Sequence, residues 1–590
     1  MAKKDVDEIL SKVKGFEADY SSVLSNLNKG YELASGRHKR RRTSAYTADS
    51  TDPELFTQIE VLATAFQDMV FSDDTSAAFW DAYGTNEGDH AAAMVTKQVM
   101  THQLGLLEFN TRTMSVFRNL CRDGVRVVEL PWVFGMKTTY AGKGSQRRRV
   151  PAFDSFGFNE VETLRFGHSG ASRLSENSWV YDLRAMNRYQ AKSMERNGDW
   201  KNVERALERK DSGSKPSYVS DRERLVGLPE EPKNREGFEA VYYCGELESR
   251  DDGEIYKSII SRNGLELVAP VINPYDHGEF PYEDVRLFDR GDSFYGLGLA
   301  ALLGPAQVEI TDRLNMINDM LLQYLFNMWM RGPEAGIGSD DMRWSPNRII
   351  DVDRMDQLTP IRPDLGGLRH VMDMQTERKQ GMRRASGATE TLQAIISKAT
   401  ATESSIAQNE AVRRAKVQVK TSISNFLRRC LYKWHALNMQ FLDPGLFMRI
   451  TDKKKFDVYK RWSNRDLVLH PDIQMKIATD NDFRGVKREA LGQFIVGMPK
   501  LMEVLQMAPG KQVRLKAETF LREYARLYDI DPDEAYEEVL VANAQSQLGF
   551  GGEVANSLVG ESEVASQLMD EGGALPDLDA MLRAAPTRPI

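Results

Sequence analysis

Hydrophobic residues recur at helical spacing through residues 286–442, over lengths greater than one small core requires, and this run constrains the fold more than any other part of the chain. Within 306–330, Ile310, Leu314, Ile317, Leu321, Leu325 and Met328 follow steps of three and four, with Pro305 suited to the first turn and Arg331, Gly332 and Pro333 as a stop. A helix of about 25 residues spans roughly 38 Å. Residues 335–365 then alternate short β-like runs with Pro346, Pro360 and Pro363, which predicts a short rigid insert. Gly366 and Gly367 open a second helix over about 368–385, closed by Ser386 and Gly387. A polar, small-residue segment, 388–402, follows as a predicted loop carrying its own short helix. From Glu403 the helical pattern resumes, with Ile423, Leu427, Cys430, Trp434, Leu437 and Phe441 on one stripe, until Asp443, Pro444 and Gly445.

The flanking sequence has a different texture. Ile9, Val13, Phe16, Tyr20, Val23 and Leu27 mark an amphipathic opening helix, followed by a basic run from Arg37 to Arg42 that reads as a phosphate patch or, more simply, as a solvated loop or a set of ion-pair partners for an acidic neighbour. From 54 to 285 the pattern is mixed α/β. Helices are expected at 54–72 and 91–123, the second running into a β-branched strand from Gly124 to Pro131. Strands at 238–246, 254–261 and 264–272, separated by Asp251-Asp252-Gly253 and Asn263-Gly264, predict a β-meander. Residues 140–235, rich in Gly, Ser and charge and including Arg147, Arg148 and Arg149, read as long surface excursions. Three further helices are expected in 484–543, and the acidic, Gly-containing tail from 546 reads as flexible.

A chain of 590 residues implies about three or four packing units, and its 41% hydrophobic and 28% charged residues are ordinary for a folded protein. With 78 Lys and Arg against 86 Asp and Glu, the formal charge of −8 is opposite in sign to that of a tight duplex-DNA binder taken as a whole. Cys121, Cys244 and Cys430 are isolated, without the spacing of a disulfide framework or a zinc knuckle, and fit a reducing cytoplasm. The first residues lack a signal-like apolar run and no 18-residue apolar window occurs, so assembly in the cytosol without export or membrane insertion is expected.

Chemistry finds little to build on. A packaging-type NTPase needs GxxxxGK[ST] so that backbone N–H groups cradle phosphates, and no such motif occurs; Gly296-Leu297-Gly298 fails the third glycine of a dinucleotide fingerprint. Gly167-His168-Ser169-Gly170 lacks the second glycine of a nucleophile elbow, because Ala171 stands there. The eight histidines are scattered, and Asp340, Asp341, Asp351 and Asp353 read as surface charge before they read as a Mg²⁺ site. Neither a catalytic residue, a metal nor a cofactor is predicted. A DNA-binding regulator would want a basic recognition helix, which Arg413, Arg414, Lys416, Lys420, Arg428 and Arg429 superficially supply, although that helix runs further than a groove can use.

The order of elements, together with Phe280-Pro281-Tyr282, Arg286, Ser293 to Gly296, Asn315, Lys398 to Glu403 and the helix-to-strand join from Leu107 to Val128, resembles the portal, or head-to-tail connector, proteins of short-tailed bacteriophages. The resemblance covers about 54–445. It implies an α+β, mainly helical fold: an N-terminal helix and basic loop (1–53), an α/β wing (54–303), a two-helix stem (304–331 and 368–385), a small β-containing clip (332–367), a tunnel loop (386–402), a long wing helix (403–445), a wing end and helical crown (446–545), and the acidic tail (546–590).

It further implies a homo-oligomeric ring, expected to be a dodecamer, at one capsid vertex of the virion. Such a ring is the conduit for packaging and ejection of double-stranded DNA, and the docking platform for the terminase motor, tail adaptor, capsid and scaffolding proteins. Lys398, Arg383, Arg384, Gln393 and Thr400 would then face the DNA, and Arg343, Trp344, Arg348, Asp351 and Asp353 the adaptor. Ile310, Leu314, Leu321, Leu427 and Trp434 would hold the subunit interface.

Overall fold

A computed structural model describes residues 2–475 except 38–47, 72–78, 85–88, 141–146, 209–220, 223–236, 251, 326–327, 332–357, 362–365, 388–414, 443–445, 452–456 and 463. The described part is mixed α/β and helix-dominated, about 57% helix and 20% strand. All of it belongs to the first of two compact units, 1–483 and 484–590.

Two helices, α1 (Ala2–Asp19) and α2 (Ser21–Ala34), open the chain, and α3 (Glu54–Val70) follows. Instead of one helix over 91–123 there are two, α4 (His90–Leu106) and α5 (Phe109–Asp123), broken where Glu108 takes a left-handed φ of 51°. The break turns Leu107 and Phe109 both into the core, which a straight helix could not do with residues two apart. Helix α5 ends at Gly124, φ 86°, and passes directly into β2 (Val125–Glu129), which lies between β11 (Tyr282–Arg286) and β5 (Asn159–Val161).

The expected meander is present and larger than the sequence suggests. Strands β6 (Phe166–His168), β7 (Trp179–Asn187), β8 (Gly237–Gly245), β9 (Tyr256–Ser261) and β10 (Glu266–Ile272) form one antiparallel sheet in the order β10-β9-β8-β7-β6. Its turns use Gly253 (φ 69°) and Gly264 (φ 82°), where a left-handed residue is required. Residues 140–235 are therefore not mainly surface excursions. They contribute β4 (Arg147–Phe156), β5, β6 and β7, and the helices α6 (Arg188–Asn197) and α7 (Val203–Glu208), because their charges are consumed in pairs such as Arg184 with Glu129 at 2.7 Å and Arg165 with Glu239 at 3.3 Å.

The helix after β11 is α8 (Leu299–Leu325), which starts and ends earlier than its spacing predicts. Pro305 lies inside it, and the missing N–H orphans the carbonyl of Ala301, an exposed residue whose oxygen water can reach. Burial of Leu299, Leu303, Ala306 and Ile310 on the other face holds the turn in place. Met328 is not a helical residue: Met328–Arg331 is a strand paired with Leu358–Ile361. Helix α9 (Leu368–Ser386) returns antiparallel to α8. A further helical run from Ala415 contains a π turn, Val419–Ile423, and continues as α10 (Ser424–Phe441).

The largest core gathers Phe66, Trp80, Leu104, Phe109, Phe117, Phe156, Phe158, Leu299, Ile310, Phe426 and Trp434, so α3, α5, α8 and α10 share one interior. A second core, with Ile9, Phe16, Val127, Tyr181, Val241, Phe280 and Phe294, seats α1 on the five-stranded sheet. Strand Trp80–Gly84 pairs with Pro471–Met475, a pairing between segments far apart in sequence. Among the described residues no helix is long and apolar enough to cross a membrane.

Candidate functional site

The two ends of the antiparallel pair α8/α9 differ in character. At the inner end, α8 presents a polar row, Gln307, Thr311, Asn315 and Asp319, at steps of four along one face, each no more than 4% exposed. Burying such a row is unfavourable unless every group is bonded, and the segment 48–53, with the first turn of α3 after it, meets that need. The Ala48 N–H donates to Asp319 Oδ1 (2.9 Å), the Ser50 N–H to Asn315 Oδ1 (2.7 Å) and the Leu55 N–H to Gln307 Oε1 (2.8 Å). Asn315 Nδ2 donates back to the Ser50 carbonyl (3.0 Å). Side chains thus read a backbone as a neighbouring strand would.

The same segment then holds α9. Lys379 pairs with Asp52 (2.5 Å), Arg383 with Glu54 (2.9 Å), and the Ser386 hydroxyl donates to Gln58 Oε1 (2.6 Å), while Gln58 Nε2 donates to Glu54 (2.8 Å). Directly between the helices, Arg378 meets Glu309 at 2.8 Å, and Arg313 donates to the Met374 carbonyl at 3.3 Å. Helix α9 buries only Met382 and Ser386, both in its last two turns.

At the outer end the pair is bare. Met316, Leu321, Leu322, Tyr324 and Leu325 on α8, and Met372 and Met374 on α9, are 37–70% exposed. Exposed apolar residues clustered on one element mark an interaction surface, whereas single ones do not.

At the base of α8, three glycines let backbones touch. A Cβ on Gly124 would lie 2.3 Å from the Gly298 nitrogen, one on Gly298 2.3 Å from the Arg122 carbonyl, and one on Gly296 2.4 Å from the Gly124 carbonyl. The Gly296-Leu297-Gly298 sequence is therefore a packing joint between the α5–β2 corner and α8. Beside it, Arg286 pairs with Asp284 (2.9 Å), and Phe294 lies 4.3 Å from the His168 ring. His168 is buried, its Nδ1 accepts from the Gly170 N–H (3.1 Å), and desolvation by burial, with the Arg286 charge adding to it, lowers its pKa to about 4. The Ser169 hydroxyl donates to Asn177 Oδ1 (2.9 Å), which ties down the Gly167 to Gly170 loop. Cys121, Cys244 and Cys430 are buried neutral thiols, that of Cys244 pushed up to about 12 by burial.

The predicted site residues divide sharply. Arg383 is paired with Glu54 and its side chain is 26% exposed; Arg384 is exposed on the adjacent position. Lys398, Gln393 and Thr400 lie outside the described residues, as do Arg343, Trp344, Arg348, Asp351 and Asp353. Of the expected interface set, Ile310, Leu427 and Trp434 are no more than 1% exposed in the interior of their own chain, so they cannot reach a second copy; Trp434 stacks on Phe156 at 4.6 Å. Leu314 is half-buried and Leu321 lies on the bare end. The helix that could have served DNA recognition is central to the fold: Arg429 bonds Glu283 (2.6 Å) and Lys433 bonds the carbonyls of Phe280 (2.7 Å) and Tyr282 (3.0 Å).

Sequence reasoning missed the polar row and its strap. The only trace was polar residues at steps of four beside the apolar stripe, a pattern shared with any solvated helix face. No protein-family model matches the chain, and no curated protein matches it.

Proposed function

We propose that the chain is a ring-forming portal protein of short-tailed-phage type: a twelve-subunit conduit for double-stranded DNA at a capsid vertex, with docking surfaces for terminase, tail adaptor, capsid and scaffolding proteins. The observation that carries this reading is the asymmetry of α8/α9, clamped by ions and hydrogen bonds at one end and apolar and bare at the other. A helix pair that cannot cover its own apolar end gains by covering it with copies of itself, and a repeated heterologous contact closes into a ring. The element order and the residues at the α5–β2 and β11–α8 joints support the portal assignment by resemblance. In this reading α8 and α9 are the stem, 332–367 the clip and 386–402 the tunnel loop, where Lys398 would repeat as a ring of weak, salt-sensitive phosphate contacts that permits sliding. Negative-stain imaging of the purified protein tests it: annular particles with a central hole are expected, and compact single-subunit particles would overturn it.

A further inference from the structure

The joint under α8 has two halves, and both are tied to the same turn of α1. One half is Gly296 to Gly298, the other the corner from Arg122 to Gly124, and no Cβ fits between them. Each half also accepts one hydrogen bond from a neighbouring amide. The Leu287 N–H donates to the Gly124 carbonyl (2.9 Å) and the Leu302 N–H to the Gly298 carbonyl (3.1 Å).

An aromatic route leads from α1 to the first half. Phe16 and Tyr20, stacked with ring centroids 4.6 Å apart, lie 5.2 and 5.1 Å from the His168 ring. His168 lies 4.3 Å from Phe294, and Tyr20 reaches Tyr295 directly at 5.9 Å. Tyr295 is the residue before Gly296. Close-packed rings interlock by shape, so displacing one displaces the next.

An ionic route leads to the second half. Glu17, in the same turn of α1, pairs with Arg262 (2.9 Å), Arg262 with Glu239 (2.8 Å), and Glu239 with Arg165 (3.3 Å). Arg165 shares the short helical turn Thr163–Arg165 with Thr163, whose hydroxyl accepts from Arg126 (3.2 Å). Arg126 faces Asp123 (3.6 Å), and Asp123 holds Arg122 (2.6 Å). No charged side chain of this series is more than 16% exposed. Losing one strands a poorly solvated charge on its neighbour, so the links hold or yield together. Neither route passes through α10 or the hairpin of β3 (Trp132–Tyr140) and β4.

We propose that the last turn of α1 is a lever for the foot of α8: seated, it fixes both halves of the joint, and displaced, it lets α8 shift while α10 stays folded. The front of α1 has a different task. Glu8 accepts from the Glu248 and Ser249 N–H groups (2.9 and 3.2 Å), and Lys12 donates to the Glu246 carbonyl (3.0 Å), so that half clamps the 246–249 loop. A partner that displaces the last turn of α1 therefore acts on α8 without touching it. The inference does not rest on ring formation, because both routes lie within one chain.

Amide hydrogen exchange of the full chain, read at Leu287 and Leu302, tests it, because local opening is then separable from global unfolding. Glu17→Gln with Tyr20→Ala is expected to accelerate both amides at least ~3-fold beyond any change in α10. Glu17→Gln alone, which keeps the side-chain shape, is expected to accelerate Leu287, and it decides the matter if the double variant fails to fold. By reciprocity, Arg122→Gln is expected to accelerate the Tyr20 amide, which donates to the Phe16 carbonyl (3.0 Å). The clamp variant Glu8→Gln, Lys12→Gln is expected to free the Glu248 and Ser249 amides and to leave Leu287 and Leu302 at the wild-type rate. Unchanged exchange at both joint amides, equal acceleration throughout α10, or equal acceleration of the joint by the clamp variant would each overturn the proposal.

Discussion

Arg383, in the last turn of α9, reaches Glu54, in the first turn of α3, with Nε 2.9 Å from Oε1 across 329 positions of sequence. The carboxylate is 7% exposed and the guanidinium 26%, so the pair sits where charge is only partly solvated. Replacing Arg383 with Ala strands a nearly buried carboxylate whose remaining bond is to Gln58, at an expected cost of about 2 kcal/mol after allowance for solvent at the arginine. Thermal unfolding of Arg383→Ala, Glu54→Gln and the double variant checks it: the two losses should be strongly non-additive, and additive losses would mean the pair is not coupled.

The polar row of α8 should control the strap. Asn315→Leu removes both bonds to Ser50, an exposed residue whose N–H and carbonyl then turn to water, at an expected cost of about 1 kcal/mol per bond. Amide exchange at Ser50 is expected to accelerate well ahead of exchange in the five-stranded sheet. Exchange at Ser50 as slow as in wild type would show that the row does not hold the strap.

The glycine joint admits no side chain. Gly124→Ala combines a positive φ with a Cβ 2.3 Å from a backbone nitrogen, and Gly298→Ala meets backbone at the same distance. Each is expected to cost about 3 kcal/mol or more, since backbone rather than a flexible side chain must move. Melting temperatures check this, with Gly253→Ala as a comparison at a turn glycine that has the strained φ but open space around it.

Stability should fall on acidification through the histidines. Desolvation by burial lowers His168, His277 and His435 to about 4, with the charge of Arg286 adding at His168, Lys433 at His277 and His470 at His435. A histidine held neutral in the folded state binds its proton on unfolding. Its contribution is therefore complete above its unfolded pKa near 6.5 and is lost as pH falls towards about 4, with no further loss below. For the buried His168 and His435 this is on the order of 3 kcal/mol each. Melting temperature at pH 7 and pH 4.5 should differ markedly, and His168→Gln should narrow the difference. An unchanged gap would assign the acid sensitivity to other groups.

Elements punctuated locally are legible in the sequence. Helix α9 lies within a residue of its expected bounds because Gly367 and Gly387 mark both ends, and β8 to β10 follow from alternation and two Gly turns. What depends on distant partners is not. The strap bonds residues 265 positions away, and the pairing of β1 (Trp80–Gly84) with Pro471–Met475 leaves no local trace. Leu427 and Trp434 illustrate the same limit: an apolar helical stripe tells that a face is covered, and only the fold tells that α5 and β4 cover it rather than a neighbouring subunit.

Self-association through the outer end of α8/α9 is the central claim, and sedimentation velocity of three proteins tests it most directly. Wild type is expected at about twelve times the 66.8 kDa chain mass, and Leu321→Asp with Leu325→Asp, which charges an exposed apolar end, at the mass of a folded single chain. Leu427→Asp instead places a charge in the interior and is expected to melt early or aggregate. A wild-type protein that sediments as one chain at micromolar concentration, or a Leu321→Asp, Leu325→Asp variant that keeps the full ring mass, would contradict the account.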